Sequence, residues 1–169
     1  MRTAIYPGTF DPITLGHIDL IKKSLKIFDK VVIATTENIN KNYLFSVEER
    51  IELIQESLFK DLKLNRKKLI VVPFDILTID LCKKYKSTFI IRGLRAVSDF
   101  EYEFQLAGMN KKLNDKIETI FLMSDVENQI ISSKFVKEIA KLNGNINKFL
   151  TKSVVKKLKN KIEWKKLFL

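Results

Sequence analysis

Apolar positions along this chain fall into short β-branched runs and longer segments with helical spacing, and the two kinds alternate from end to end. Residues 2–6, 30–35, 69–73, 88–92 and 117–123 are the short runs and predict five strands. After the first run, Ile18, Ile21, Leu25 and Phe28 recur at three- and four-residue intervals, which predicts a helix over 15–28. A second helix is expected over 46–58, where Ser46 and Glu49 have the spacing of a capping box. Further helices are expected over about 77–85, 98–113 and 132–142. The 98–113 helix opens on a Ser98/Glu101 box, and its Tyr102, Leu106, Met109 and Leu113 read as core; Gly144 ends the helix over 132–142. A basic helix over about 151–167 closes the chain.

Strands that are apolar throughout, rather than alternating, are buried on both faces. Interleaved with helices, they predict an α/β fold: a single-domain, Rossmann-like, doubly wound five-stranded parallel sheet with helices on both faces and a C-terminal helix. With no internal repeat and no low-complexity linker, residues 1–169 are expected to form one domain. Open sheets of this type bind ligands beyond the carboxyl ends of their strands, where the strand order reverses. The loops after the first, second, fourth and fifth strands are therefore where chemistry is expected.

Composition narrows the class. A hydrophobic content of 46% suits a globular chain. Nowhere does an uncharged apolar run reach the roughly 18 residues of a membrane span, and residues 1–8 lack the apolar core of a secretory signal. One cysteine, Cys82, cannot form an internal disulfide and reads as a small buried helix residue. A cytoplasmic location without a membrane partner is expected. Lys and Arg number 31 against 20 Asp and Glu, a net charge of +11. Much of that excess lies in the 152–166 stretch and in solvated lysines of a Lys-, Ile- and Asn-rich chain. It is also compatible with steering of anionic small molecules or, less well, with nucleic acid.

Missing motifs exclude much. There is no G-x-x-x-x-G-K-[ST] phosphate loop, no G-x-G-x-x-G fingerprint and no G-x-S-x-G elbow. One histidine and one cysteine cannot assemble a His/Cys zinc site. Charge must be handled by backbone amides, Lys, Arg and the lone His17.

His17 lies in the stretch Tyr6-Pro7-Gly8-Thr9-Phe10-Asp11-Pro12-Ile13-Thr14-Leu15-Gly16-His17, between the first strand and first helix. Gly8 and Gly16 are expected to let backbone approach a ligand, and the unpaired amides of the first helical turn suit a polyphosphate. The positive end of the helix dipole disfavours a charged imidazole, so His17 is expected to be neutral in the empty site and to shift toward the charged form as phosphates arrive.

Gly8-Thr9-Phe10-Asp11-Pro12 followed by Thr14-Leu15-Gly16-His17 resembles the signature of the nucleotidyltransferase superfamily that carries an H-x-G-H or T-x-G-H motif. Within it, residues 91–103 (IRGLRAVSDFEYE), Gln105-Leu106-Ala107 and Ile131-Ser132-Ser133 resemble the bacterial phosphopantetheine adenylyltransferases, and the likeness runs over about 2–150. The resemblance implies adenylyl transfer from ATP to 4′-phosphopantetheine, giving dephospho-coenzyme A and pyrophosphate in coenzyme A biosynthesis. It implies Mg²⁺ carried by the nucleotide rather than by protein ligands, and a homohexamer. His17 would bind the nucleotide phosphates and stabilise the transition state; Lys41 would orient the acceptor phosphate and Arg92 would hold the acceptor. Thr9 and Phe10 would touch both ligands. Gly93, Leu94, Arg95 and Glu103 would line the ATP site, together with the segment Asn128, Gln129, Ile130, Ile131, Ser132, Ser133 and Lys134. Thr78 would contact the pantetheine arm.

Three positions depart from the family's habit: Asn42-Tyr43 where a proline commonly follows the lysine, Asn128 where an aromatic opens the second phosphate segment, and Lys134 where Ser or Thr is usual. The nearest rival is a related enzyme using nicotinamide mononucleotide or a cytidine nucleotide, and residues 92–103 argue against it. A basic RNA-binding protein on the same fold is the rival of another class; the Thr9, His17, Lys41 and Arg92 set argues against that.

Overall fold

The computed structural model describes residues 1–37, 42–94 and 97–167, without the side chains of 97–99 and 164–167. Lys41 and Arg95 lie outside the described residues, as does the Ser98 side chain of the expected capping box. The strands are β1 (Thr3–Gly8), β2 (Lys30–Thr36), β3 (Leu69–Phe74), β4 (Phe89–Leu94) and β5 (Glu118–Met123). Helix α1 (Leu15–Ile27) follows β1, α2 (Val47–Gln55) follows β2, α3 (Thr78–Lys84) follows β3 and α4 (Val97–Leu113) follows β4. After β5 come α5 (Val126–Gln129), α6 (Ser133–Lys141) and α7 (Lys152–Leu167).

All strand pairings are parallel, in the order β3-β2-β1-β4-β5. The chain steps outward from β1 through β2 to β3, then returns to the other side of β1 for β4 and β5. That reversal puts a crevice at the carboxyl ends of β1 and β4. Side chains alternate across the sheet. Ala4, Tyr6, Val31, Ile33 and Ile91 pack beneath α1, α2, α6 and α7. Ile5, Val32, Ala34 and Ile90 face the other way, against Ile79, Leu81 and Cys82 of α3. Each fully buried Ile or Leu contributes about 1.5–3 kcal/mol, so the five strands and α1 are held mainly by this two-sided burial. Cys82 is the buried helix residue expected, and burial pushes its thiol up to about 12, which leaves it unreactive.

The expected Ser46/Glu49 box is formed: the Ser46 amide donates to Glu49 Oε2 at 2.8 Å and the Glu49 amide to Ser46 Oγ at 3.3 Å. Three features differ from the pattern of apolar positions. The helix expected to run to 58 leaves α-helical geometry after Gln55 and continues as a π-helical stretch, Glu56–Asp61. Beyond α6 the left-handed turn is taken by Asn143 (φ 59°) rather than by Gly144, whose amide donates to the Ile139 carbonyl at 2.8 Å. And α4 does not bury its apolar face. Tyr102, Met109 and Leu113 are exposed, Tyr102 to 64%, and Leu106 is half-buried. Helical spacing reports that a face is apolar but not what covers it, and within one chain the sheet offers α4 only its β4–β5 flank. Among the described residues no helix is long and apolar enough to cross a membrane.

Candidate active site

Between β1 and α1 the chain makes a loop whose backbone is under strain. Phe10 is buried, with 1% exposure, and has φ 49°, the left-handed region that costs a bulky L-residue about 1–2 kcal/mol. Its ring packs edge-on between Tyr6 and His17, with centroids 5.3 and 5.1 Å away. Asp11 anchors the next residue. Its carboxylate accepts from the amides of Leu44 and Phe45 at 2.9 and 3.0 Å and from Lys137 Nζ at 2.6 Å, tying the loop to the entry of α2 and to α6.

His17 is the third residue of α1. The Thr14 amide donates to its Nδ1 at 3.1 Å, and Thr14 Oγ1 lies 2.9 Å from the same nitrogen. A ring nitrogen that accepts an N–H carries no proton of its own, so the geometry favours the neutral imidazole with its proton on Nε2. The sequence points to a functional histidine; the capping box supplies the tautomer.

Arg92 leaves the carboxyl end of β4. Its Nε and Nη2 donate to the two oxygens of Glu103 at 2.6 and 2.5 Å, and Nη1 donates to the Pro7 carbonyl at 2.9 Å. Burial pulls the guanidinium pKa down and the Glu103 contact more than offsets it, so the net direction is upward. Glu103, a surface position by helical default, is only 8% exposed. Five guanidinium N–H groups less three leaves two to face a ligand.

These elements enclose one cleft of about 1110 Å³ at the switch point, room for two sizeable ligands. It gathers Thr9, Phe10, His17, Arg92, Gly93 and Glu103 with the whole 128–134 segment. Leu94 and Thr78 are not among its lining residues. Gly8 and Gly16 are needed there for protein contacts: an added Cβ would lie 2.8 Å from the Phe10 ring at Gly8 and 3.1 Å from the Asn128 carbonyl at Gly16. Ser132 caps α6 by accepting from the Phe135 amide at 3.2 Å, and Ser133 Oγ donates to the Pro12 carbonyl at 2.8 Å. Both hold the cleft's walls together. Pattern reading missed Lys137, Asp11's anchoring part and the buried Arg50.

The chain matches the cytidylyltransferase-like family over residues 5–139. It is 68% identical over 162 residues to a phosphopantetheine adenylyltransferase of Pelagibacter ubique (strain HTCC1062), covering 96% of this chain and 99% of that one. This chain belongs to the phosphopantetheine adenylyltransferase family. A second member, from Roseobacter denitrificans (strain ATCC 33942 / OCh 114), is 49% identical over 96% of this chain and 98% of its own. The fold recurs more widely. The structure of Plasmodium falciparum nicotinic acid mononucleotide adenylyltransferase complexed with APC superposes with a TM-score of 0.69 at 16% identity, over 99% of this chain and 96% of that one. From the two segments that carry the resemblance, Gly16 and His17 and then Arg92, Gly93 and Glu103 line the cleft.

Proposed function

We propose that this chain transfers the adenylyl group of ATP to 4′-phosphopantetheine, reversibly, with pyrophosphate released and dephospho-coenzyme A formed. The observation that carries the proposal is the meeting, in one cleft, of the His17 imidazole at the first turn of α1 with the Arg92 guanidinium from the end of β4. A phosphate monoester is already an anionic nucleophile at neutral pH, so no activated Ser, Cys or Lys is required. An oxygen of the acceptor phosphate forms a bond to the α-phosphorus, the bond from that phosphorus to the bridging oxygen breaks, and pyrophosphate leaves with the electron pair. The protein's task is to hold two mutually repelling anions in line and to stabilise charge that spreads as phosphorus becomes five-coordinate.

In this reading His17 donates from Nε2 to an oxygen of the α-phosphate, and Thr9 and Phe10 contact both ligands. Arg92 and Lys41 hold the acceptor phosphate, Thr78 the pantetheine arm. Gly93, Leu94, Arg95, Glu103 and residues 128–134 bind ATP. Mg²⁺ enters as part of the nucleotide substrate. Among the described residues, the two carboxylates that line the cleft are already committed, Asp11 to Lys137 and two amides and Glu103 to Arg92, which leaves neither disposed as a resident metal ligand. We assign the reaction to the cytoplasm, with no nucleic-acid or membrane partner. The deciding assay is incubation with MgATP and 4′-phosphopantetheine, with mass detection of dephospho-coenzyme A; turnover only with nicotinamide mononucleotide or a cytidine nucleotide overturns the acceptor.

A homohexamer belongs to the same proposal. Its support is the uncovered apolar surface of Tyr102, Phe104, Met109 and Leu113 on α4, with Leu77 at the start of α3. Native mass spectrometry is expected to give six times the chain mass, and Phe104→Glu to give smaller species. A monomeric wild type removes the assembly from the proposal.

A further inference from the structure

Among the described residues Arg50 is one of the largest fully buried side chains, at 1% exposure, and no carboxylate among them forms an ion pair with it. Removing a guanidinium from water without a counter-charge costs several kcal/mol unless its protons are satisfied. Here the Nε and Nη1 protons are spent on the backbone and hydroxyl groups around Thr9. Nη1 lies 2.8 Å from the Thr9 carbonyl, 3.0 Å from Thr35 Oγ1 and 2.9 Å from the Thr36 carbonyl, while Nε donates to the Ser46 carbonyl at 3.3 Å. Thr35 Oγ1 itself donates to the Thr9 carbonyl at 3.0 Å. The ring of Tyr43, where the family's proline is replaced, lies over the guanidinium at 4.2 Å and closes it in.

The Thr9 carbonyl is thus gripped by two donors, immediately before the left-handed residue of the cleft. In a planar trans peptide the C=O and the following N–H point in opposite directions. Turning the Thr9 carbonyl inward therefore turns the Phe10 N–H away from Arg50, and no acceptor among the described residues takes that N–H. A buried amide left without a partner is costly in an empty protein and is a preorganised donor for an anion.

We infer that Arg50 is a positioning residue for adenylyl transfer: by clamping the Thr9 carbonyl it holds the Phe10 amide toward the reacting phosphates, and it places a permanent positive charge behind the anion cleft without touching either ligand. The inference rests on the adenylyl-transfer reading above. Tyr43 and Thr35 are its supports, one covering the guanidinium and the other sharing its acceptor.

The test compares wild type with Arg50→Met, Arg50→Lys and Thr35→Val, measuring dephospho-coenzyme A formation well below each variant's unfolding midpoint. It adds the ATP-induced shift of the Phe10 amide in ¹⁵N-phenylalanine-labelled protein. Expected are a fall in kcat of about 10²-fold for Arg50→Met and about tenfold for Thr35→Val, with KM for 4′-phosphopantetheine within about threefold. Arg50→Lys recovers part of the loss, and the Phe10 shift shrinks in step with kcat. A purely structural Arg50 lowers the unfolding midpoint and leaves kcat and the amide shift of the folded fraction unchanged, which overturns the inference. Should Arg50→Met not fold, Thr35→Val decides by the same criteria. A wild type that makes no dephospho-coenzyme A sinks the proposed function and this inference with it; an active wild type matched by its folded variants sinks the inference alone.

Discussion

His17→Ala is expected to lower kcat by about 10²–10³-fold, or about 3–4 kcal/mol of transition-state stabilisation, while the protein stays folded. The magnitude is that of removing one preorganised donor from a site where charge develops. The His17 ring is preorganised in a checkable way: Nδ1 is occupied by the Thr14 amide at 3.1 Å, and the Phe10 ring packs against it at 5.1 Å. That leaves rotation and tautomer little freedom, so little reorganisation is needed as the α-phosphate gains charge. Losing the capping box costs about 1 kcal/mol of stability, too little to unfold the chain. The measurements are steady-state formation of dephospho-coenzyme A and the unfolding midpoint, made side by side. A kcat within about threefold of wild type removes His17 from the mechanism. An NMR titration adds the protonation state. Full protonation puts a hydrogen on Nδ1 and turns the Thr14 amide from partner into a competing donor, which opposes the charged form in the empty site. A shift of His17 toward the charged form on adding ATP requires the bound phosphates to outweigh that penalty.

Much of this architecture was legible from the chain because parallel strands announce themselves. Residues 31–36 are β-branched or small with no polar alternation, and β2 is buried on both faces at Val31, Val32, Ile33 and Ala34. The strand-turn-helix around His17 was equally plain, since Gly8, Pro12 and Gly16 punctuate it. What remained hidden were properties of pairs distant in sequence. Periodicity by itself has no way to show that Arg92, eleven residues before Glu103 and near the end of β4, pairs with both of its oxygens. It assigned Tyr102 and Met109 to a core because an apolar face looks the same whether sheet or second subunit covers it. Arg50 did leave a trace: with Val47 and Ile54 it falls at the i, i+3, i+7 positions of the buried stripe of α2, where a charged residue calls for an explanation. Phe10's left-handed backbone left none, since only the tertiary grip on Thr9 and Asp11 imposes it.

Arg92→Ala is expected to be the other severe substitution, for two separable reasons. The first is structural. Glu103 is buried, and both its oxygens accept from Arg92; cutting the side chain back leaves a carboxylate with no counter-charge among the described residues, at a cost of about 3–5 kcal/mol. The second is functional. Arg92 lines the cleft with two guanidinium protons not spent on Glu103 or Pro7, and losing them is expected to weaken acceptor binding and in-line alignment together, lowering kcat/KM for 4′-phosphopantetheine by about 10²-fold or more. A cycle separates them. Arg92→Met combined with Glu103→Leu replaces the pair by apolar groups of similar size, so most of the stability returns while activity does not. Glu103→Gln alone keeps the Arg92 charge and frees part of its hydrogen bonding, so it is expected to lose stability with only a modest change in acceptor use. Denaturant unfolding and dephospho-coenzyme A kinetics on the same preparations give both readouts. If the apolar double variant regains wild-type turnover along with its stability, Arg92 is scaffold and the acceptor phosphate is held by something else in the cleft.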